Sequence, residues 1–317
     1  SDISGGGRGR GPDKRGGGQH TVRKQRHPGH PNRGTGRKKG LPVEWWLKID
    51  DIGKLKNHIP NRPNRVVVVL GRQTFSQISR MRKYVDPYIR DMVWALPPVI
   101  DEADIRTYEE WISQLGRRGF HAWQIAHVGQ LQFFRQRAAF AGRGRKGKKR
   151  KSDTRRKRYT LFGDYSLNAL NSQTVRVLRE AGINRIQAAL ETDRANLADL
   201  CGNAKGIDIG MTVYGTPPLF TARIQADYFQ YDRPFVSPKE EIFLCKKAGA
   251  HTVVVSEKPF SLLSKLPELA ALGVRYVVVD LTNMHVRKGA MESLVRQLEG
   301  VAKPQRLSMF NYQGKLL

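Results

Sequence analysis

Cysteine is almost missing from this chain. Cys201 and Cys245 are the only two in 317 residues, too few for a disulfide framework, and such usage fits a reducing compartment. Long apolar runs are missing as well. The longest, such as Val66 to Leu70 and Val277 to Val279, are strand-sized, well short of the roughly 18 residues a membrane-spanning helix needs. The first residues are rich in glycine and arginine and hold no apolar segment of the secretory kind. A cytoplasmic protein with no membrane partner is the expectation. Histidine spacing offers no metal site: His27 and His30 fall in the glycine-rich start, while His121 and His127 flank one strand-like run, without the companions a zinc site requires. Gly-x-Ser-x-Gly elbows, phosphate-binding loops and internal repeats are also lacking.

Carboxylates are scarce: 28 Asp+Glu face 56 Lys+Arg, for a net charge of +28. The excess is concentrated. Residues 1–42 hold 11 basic and 2 acidic side chains, residues 143–158 hold 11 and 1, and these two stretches together carry +19 of the total. The first contains Gly-Arg steps and almost no apolar side chain, so it cannot bury enough surface to offset its ordering entropy. It reads as a disordered arm or a linker, and the chain as part of something longer. The second, within an insertion at 141–158, comprises Arg143, Arg145, Lys146, Lys148, Lys149, Arg150, Lys151, Arg155, Arg156, Lys157 and Arg158. So many like charges repel one another and cannot be packed. Phosphate neutralisation with counterion release is their natural partner chemistry, and RNA is the expected partner. A solvated loop or a localisation signal are the alternatives. No aromatic side chain is interspersed, so base-specific readout is not implied.

From Val43 onward strand-like and helical stretches alternate. Strand-like runs are 45–49, 65–70, 92–96, 122–126, 159–162, 185–189, 209–214, 251–255 and 276–279; helical periodicity appears at 74–85, 104–117, 130–140, 172–181, 194–201, 238–248 and 289–299. Glycines at or just past several helix ends, among them Gly182, Gly202 and Gly249, supply stops. Strands apolar on both sides and separated by helices imply a parallel sheet with right-handed crossovers. Eight or nine such units over residues 43–317 fit an α/β fold of the closed (β/α)8 TIM-barrel kind; a doubly wound open sheet is the alternative. In a barrel, loops that follow strands share one rim. That rim receives Asp50, His127, Asp164, Asn168, Glu191, Tyr214, Thr216, Asp280 and Asn283. The basic run follows a helix and precedes a strand, so it belongs to the opposite rim.

Three segments carry the chemistry. Asp164 to Ser172 follows a strand and opens a helix, with Asn171 or Ser172 placed to cap it; Asp164 and Asn168 are then mouth groups or turn formers. Glu191, at the end of an apolar strand, is a general base or polar ligand, or it caps the helix that begins near Arg194. Met211 to Thr221 ends a strand in Tyr214-Gly215 and a double proline, a rigid turn on the same rim.

In their order, GDYSLNALNS, GINRIQAALETD, MTVYGTPPLFT and a closing FNYQGKLL resemble the C-terminal barrel portion of the collagenase-like peptidase family, peptidase family U32. Upstream, HVGQLQF is similar to the family's Asn-Leu-Gly element. The likeness spans about residues 120–317. It implies a barrel, with Glu191, Asp164 and Tyr214 as catalytic groups and His127, Asn168, Asn171 and Thr216 lining the substrate pocket. The family name implies proteolysis, whereas other relatives hydroxylate bases of ribosomal or transfer RNA or act in ubiquinone hydroxylation, using an iron–sulfur cluster on four cysteines. Here FTARIQADYF stands where the family places cysteine, and Thr216 replaces the turn's arginine. Two cysteines cannot supply four thiolates, so no cofactor is expected in this chain. The expectation is an RNA-binding, catalytically reduced barrel acting with a separate catalytic barrel, which is an N-terminal part of the same longer protein. The alternatives are a peptidase or hydroxylase in its own right, and a ribosome-associated scaffold.

Overall fold

The computed structural model describes residues 41–134 and 159–314, which all fall in one compact unit. The arm up to residue 40, the basic run 143–158 and the part of the expected helix 130–140 beyond Phe134 lie outside the described residues.

Seven strands come first: β1 (Glu44–Ile49), β2 (Arg65–Val69), β3 (Met92–Ala95), β4 (Ala122–Ile125), β5 (Thr160–Gly163), β6 (Ile183–Gln187) and β7 (Asp208–Gly215). An eighth, β13 (Tyr276–Asp280), pairs in parallel with both β7 and β1 and closes the ring. Every pairing in the ring is parallel. The fold is therefore a closed eight-stranded barrel and not an open sheet. Helices α1 (Arg72–Arg80), α2 (Arg82–Val85), α3 (Ile105–Arg117), α4 (Ser172–Glu180), α5 (Arg194–Asn203), α6 (Leu266–Leu272) and α7 (Ala290–Leu298) lie between or after the strands. Among the described residues no helix is long and apolar enough to cross a membrane.

Alternation along each strand splits the apolar residues into two cores. Trp45, Leu47, Val66, Val68, Trp94, Trp123, Val277 and Val279 face outward and pack in the larger core with the helices. Trp46, Val67, Val93, Phe162, Tyr276 and Val278 point inward and fill the barrel. At its centre Trp46 stacks on Tyr276, with ring centroids 4.2 Å apart, and meets Phe162 edge-on at 5.2 Å. This plug dictates a glycine: a Cβ on Gly210 would lie 2.2 Å from the Tyr276 ring. Below the plug, at the strand starts, Arg185 bridges Glu44 at 2.6 Å and Asp208 at 3.1 Å. Arg65 lies over the faces of Trp46 and Phe162.

Two expectations are corrected between β7 and β13. Residues 238–248 were expected to be helical, but Ile242–Ala248 is a strand, β10. The run 251–255 is a strand, β11 (His251–Ser256), but it belongs to a second, antiparallel sheet rather than to the barrel. The two form a hairpin in which Ala248 pairs with His251, and Gly249 takes the positive φ of 62° that such a turn favours. With β8 (Phe220–Ala222) and β9 (Pro234–Val236) they make a four-stranded insert in the order β8-β11-β10-β9. Apolar residues on both faces of β10 (Ile242, Leu244 and Phe243, Cys245) mimic a helical run, and only the β11 partner decides between them. The crossover helix is α6, which begins at a leucine-proline step. A two-residue strand, β12 (Phe260–Ser261), adds antiparallel to the end of β7.

Candidate functional site at the C-terminal mouth

One inward step above the Trp46–Tyr276 plug the filling turns polar. Lys48 of β1 is buried, 6% exposed, and reaches two carboxylates: its Nζ lies 3.1 Å from Asp164 Oδ1, just past β5, and 3.5 Å from Asp280 Oδ2 on β13. Burial alone pulls the Lys48 ammonium down, but Asp164 and Asp280 outweigh it and hold the group above the usual lysine range. Both aspartates are anchored on their other oxygen. Ser166 Oγ donates to Asp164 Oδ2 at 2.8 Å, and the backbone N–H and hydroxyl of Thr282 donate to Asp280 Oδ1 at 2.9 and 2.6 Å. Gln187 of β6 adds Nε2 to Asp164 Oδ1 at 3.4 Å and accepts from Thr212 Oγ1 of β7 at 2.7 Å. Gln124 of β4, between the outward Trp123 and Ile125, also faces inward; both its amide atoms are buried without a hydrogen-bond partner among the described residues.

Tyr165 covers this floor, with Lys48 Nζ 5.1 Å from its ring centre. Burial raises the Tyr165 phenol, Lys48 opposes, and Asp164, Asp280 and Glu191 push it further up. Glu191 follows β6 with its side chain exposed, and its carbonyl accepts from Asn311 Nδ2 at 2.6 Å. Tyr214 is half-buried at the end of β7, and burial raises its phenol. The next residue is a glycine of necessity: a Cβ on Gly215 would meet the Asp280 carbonyl oxygen at 2.6 Å. Thr216 is buried and its hydroxyl lies 3.5 Å from the Thr282 carbonyl.

The other pocket residues have local duties. Asn171 Oδ1 accepts from Thr174 N–H at 2.9 Å and caps α4. Asn168 is exposed and adopts the left-handed conformation, φ 54°, that ends a short turn. His127 Nδ1 accepts from Gly129 N–H at 3.1 Å at the start of a 3-10 turn, Val128–Leu131. Thus Asp164 joins a connected polar network, whereas Asn168, Asn171 and His127 have local roles and, among the described residues, the exposed Glu191 side chain makes no hydrogen bond or ion pair with it. Sequence reading missed Lys48, Gln124, Gln187 and Thr212. The available signal was a lone polar residue two steps from a large apolar one inside a strand, as in Trp46-Leu47-Lys48.

At the mouth's edge a cleft of about 490 Å³ separates the insert from the rim, lined by Asp50, Asp51, Lys54, Lys246 and Asn283 among others. Lys54 pairs with Asp50 and Lys246 donates to the Asn283 carbonyl, tying the insert to the loop after β13. The described residues do not fit an iron–sulfur cluster: Cys201 sits in α5 against the outer core and Cys245 on β10 of the insert. Nor do the described residues group three His, Cys, Asp or Glu side chains in a way that could hold a metal ion.

No family model and no curated protein matches the chain. Solved structures do align with it. A U32 peptidase shares 9% identity over 81% of this chain and 99% of its own, with a TM-score of 0.44. A variant tryptophan synthase α-subunit from Pyrococcus furiosus shares 11% over 82% and 99%, at 0.44. Orotidine 5'-monophosphate decarboxylase from Metallosphaera sedula shares 11% over 82% and 100%, at 0.40. The chain is a TIM barrel. That statement stands on its closed ring of parallel pairings, and likenesses at these values bring no activity with them.

Proposed function

We propose that this chain is an RNA-binding barrel of U32 type that works beside a separate catalytic domain on ribosomal or transfer RNA. The observation that carries the reading is the concentration of charge: residues 1–42 and 143–158 hold +19 of the +28. Cations so placed gain by releasing the counterions condensed on a polyphosphate. The fit of the cysteines supports an accessory role, since the cluster of the resembled family has no ligand set here. The test is filter retention of cellular RNA at two salt concentrations, with and without residues 143–158. Tight, salt-sensitive binding that falls at least tenfold on deletion is expected; unchanged retention by the deleted chain sinks the reading.

One observation favours turnover by the barrel itself. Lys48, Asp164, Asp280 and Tyr165 converge where strands end, the rim on which barrel enzymes build their sites, and Glu191 follows β6 towards the same rim. Under that reading Glu191 is the base and Tyr214 and Asp164 assist, whether on a peptide or an RNA base. Product formation by the purified chain, lost in Glu191→Gln, would establish it.

A further inference from the structure

Because every barrel strand runs the same way, each connection from a helix to the next strand emerges on one rim, where the strands begin. Those connections carry exposed cations: Arg90 ahead of β3, Arg117 and Arg118 ahead of β4, Arg179 ahead of β6, Lys205 ahead of β7 and Arg275 directly before β13. None of the six makes an ion pair with a described carboxylate. Their hydrogen bonds within the described residues go to neutral oxygens, Arg117 to Ser113, Arg118 to Ser79 and Arg179 to the Lys205 carbonyl, which orients the guanidinium groups and leaves their charge unpaired among those residues. Of this rim's carboxylates, Asp91 pairs with Arg62 at 2.8 Å, Glu44 and Asp208 with Arg185, and Glu180 with Arg176 at 3.0 Å, while Glu299 accepts from the neutral Asn61 amide. Among the described residues, the exposed cations of this end outnumber the carboxylates left without a cation.

Behind the rim, the Glu44–Arg185–Asp208 bridge and the Trp46–Tyr276 stack close the barrel axis, so nothing bound there reaches the mouth through the barrel.

We infer that the N-terminal rim is a phosphodiester-binding face that holds RNA by its backbone, opposite to and separate from the mouth. This rests on the RNA-binding reading and names the folded surface that serves it. Each cation that neutralises a phosphate contributes roughly 0.7–0.9 to the slope of log K against log salt.

The test compares three proteins by fluorescence anisotropy on one labelled RNA hairpin over a salt series. They are the unmodified chain, a rim variant (Arg117→Gln, Arg118→Gln, Arg179→Gln, Lys205→Gln) that keeps the arm and residues 143–158, and a mouth-side control (Arg72→Gln, Arg287→Gln, Lys288→Gln). All seven side chains are exposed, and circular dichroism checks that each variant folds. The rim variant should bind at least tenfold more weakly near physiological salt, with the slope reduced by about 3, and the control should bind like the unmodified chain. If the rim variant binds as the unmodified chain does, or the control loses as much as the rim variant, the rim assignment is overturned while RNA binding stands. If the unmodified chain fails to retain the hairpin at any salt, the RNA-binding reading falls and the rim assignment with it.

Discussion

Around the end where strands begin, Arg90, Arg117, Arg118, Arg179, Lys205 and Arg275 face solvent without partners among the described carboxylates, whereas the loops at the other end mix carboxylates with cations, Asp50 pairing with Lys54, Asp104 with Arg72 and Asp101 with Arg223. The interiors share one arrangement, a cation between two carboxylates, and differ in burial. The mouth buries a cation, Lys48, between Asp164 and Asp280, each of the three less than 10% exposed, while the other end brackets Arg185 between Glu44 and Asp208, whose side chains keep 19–42% of their exposure. Tyrosine and arginine ionisation reflect the contrast. Tyr108, near the mouth rim, is pushed up to about 12, by burial first and then by Asp104, against the pull of Arg72. Arg65, at the opposite end, is drawn down by burial and then by Arg185 beside it, against Glu44 and Asp91. The two ends thus differ in how far their exposed cations are paired and in how deeply their central ion pairs are buried.

Removing the central cation at each end should sharpen the contrast most. Lys48→Met strands two buried carboxylates and is expected to cost about 3–5 kcal/mol in urea denaturation. The equivalent Arg185→Met leaves partners that already touch water and should cost about 1 kcal/mol, because solvent reaches and screens these partly exposed pairs. Equal losses at the two ends would break the distinction between a buried network and a screened one. Asn171→Ala should cost about 1 kcal/mol by removing the cap of α4, with no change in RNA retention; altered binding of a mouth ligand would instead give Asn171 a pocket role.

The smallest effect is the pH response of Tyr108. Its phenol stays neutral in the folded chain when the unfolded phenol, with a pKa of about 10, begins to ionise. Its contribution to stability is thus complete below pH ~10 and is lost as pH climbs through about 12. Ultraviolet titration should show this late ionisation, and Asp104→Asn should move it down by a fraction of a unit, more so at low salt. A titration indifferent to Asp104 would remove the mouth rim's negative field as a contributor.

Much of the barrel was legible because its cause is local. Apolar runs such as Arg65 to Leu70 read as strands, and glycines such as Gly182, with φ 100°, stop helices whatever they pack against. The stretch 238–248 was misread because its apolar residues satisfy both periods and only pairing with β11 breaks the tie. The strand-end rule picked out Asp164 and Asp280, which the structure joins through Lys48. It passed over Lys48, Gln187 and Thr212, which lie inside strands, where a single polar residue looks like an ordinary member of an apolar run.

By itself the sequence determined the sign and clustering of charge, the poverty in thiols and the alternation of strand and helix, since these are properties of composition and of neighbours along the chain. Tertiary structure alone decided which polar residues share a site and which cations share a face. Lys48 meets Asp164 across 116 positions because ring closure turns both inward. Arginines scattered from residue 90 to residue 275 collect on one rim only because all eight strands point the same way.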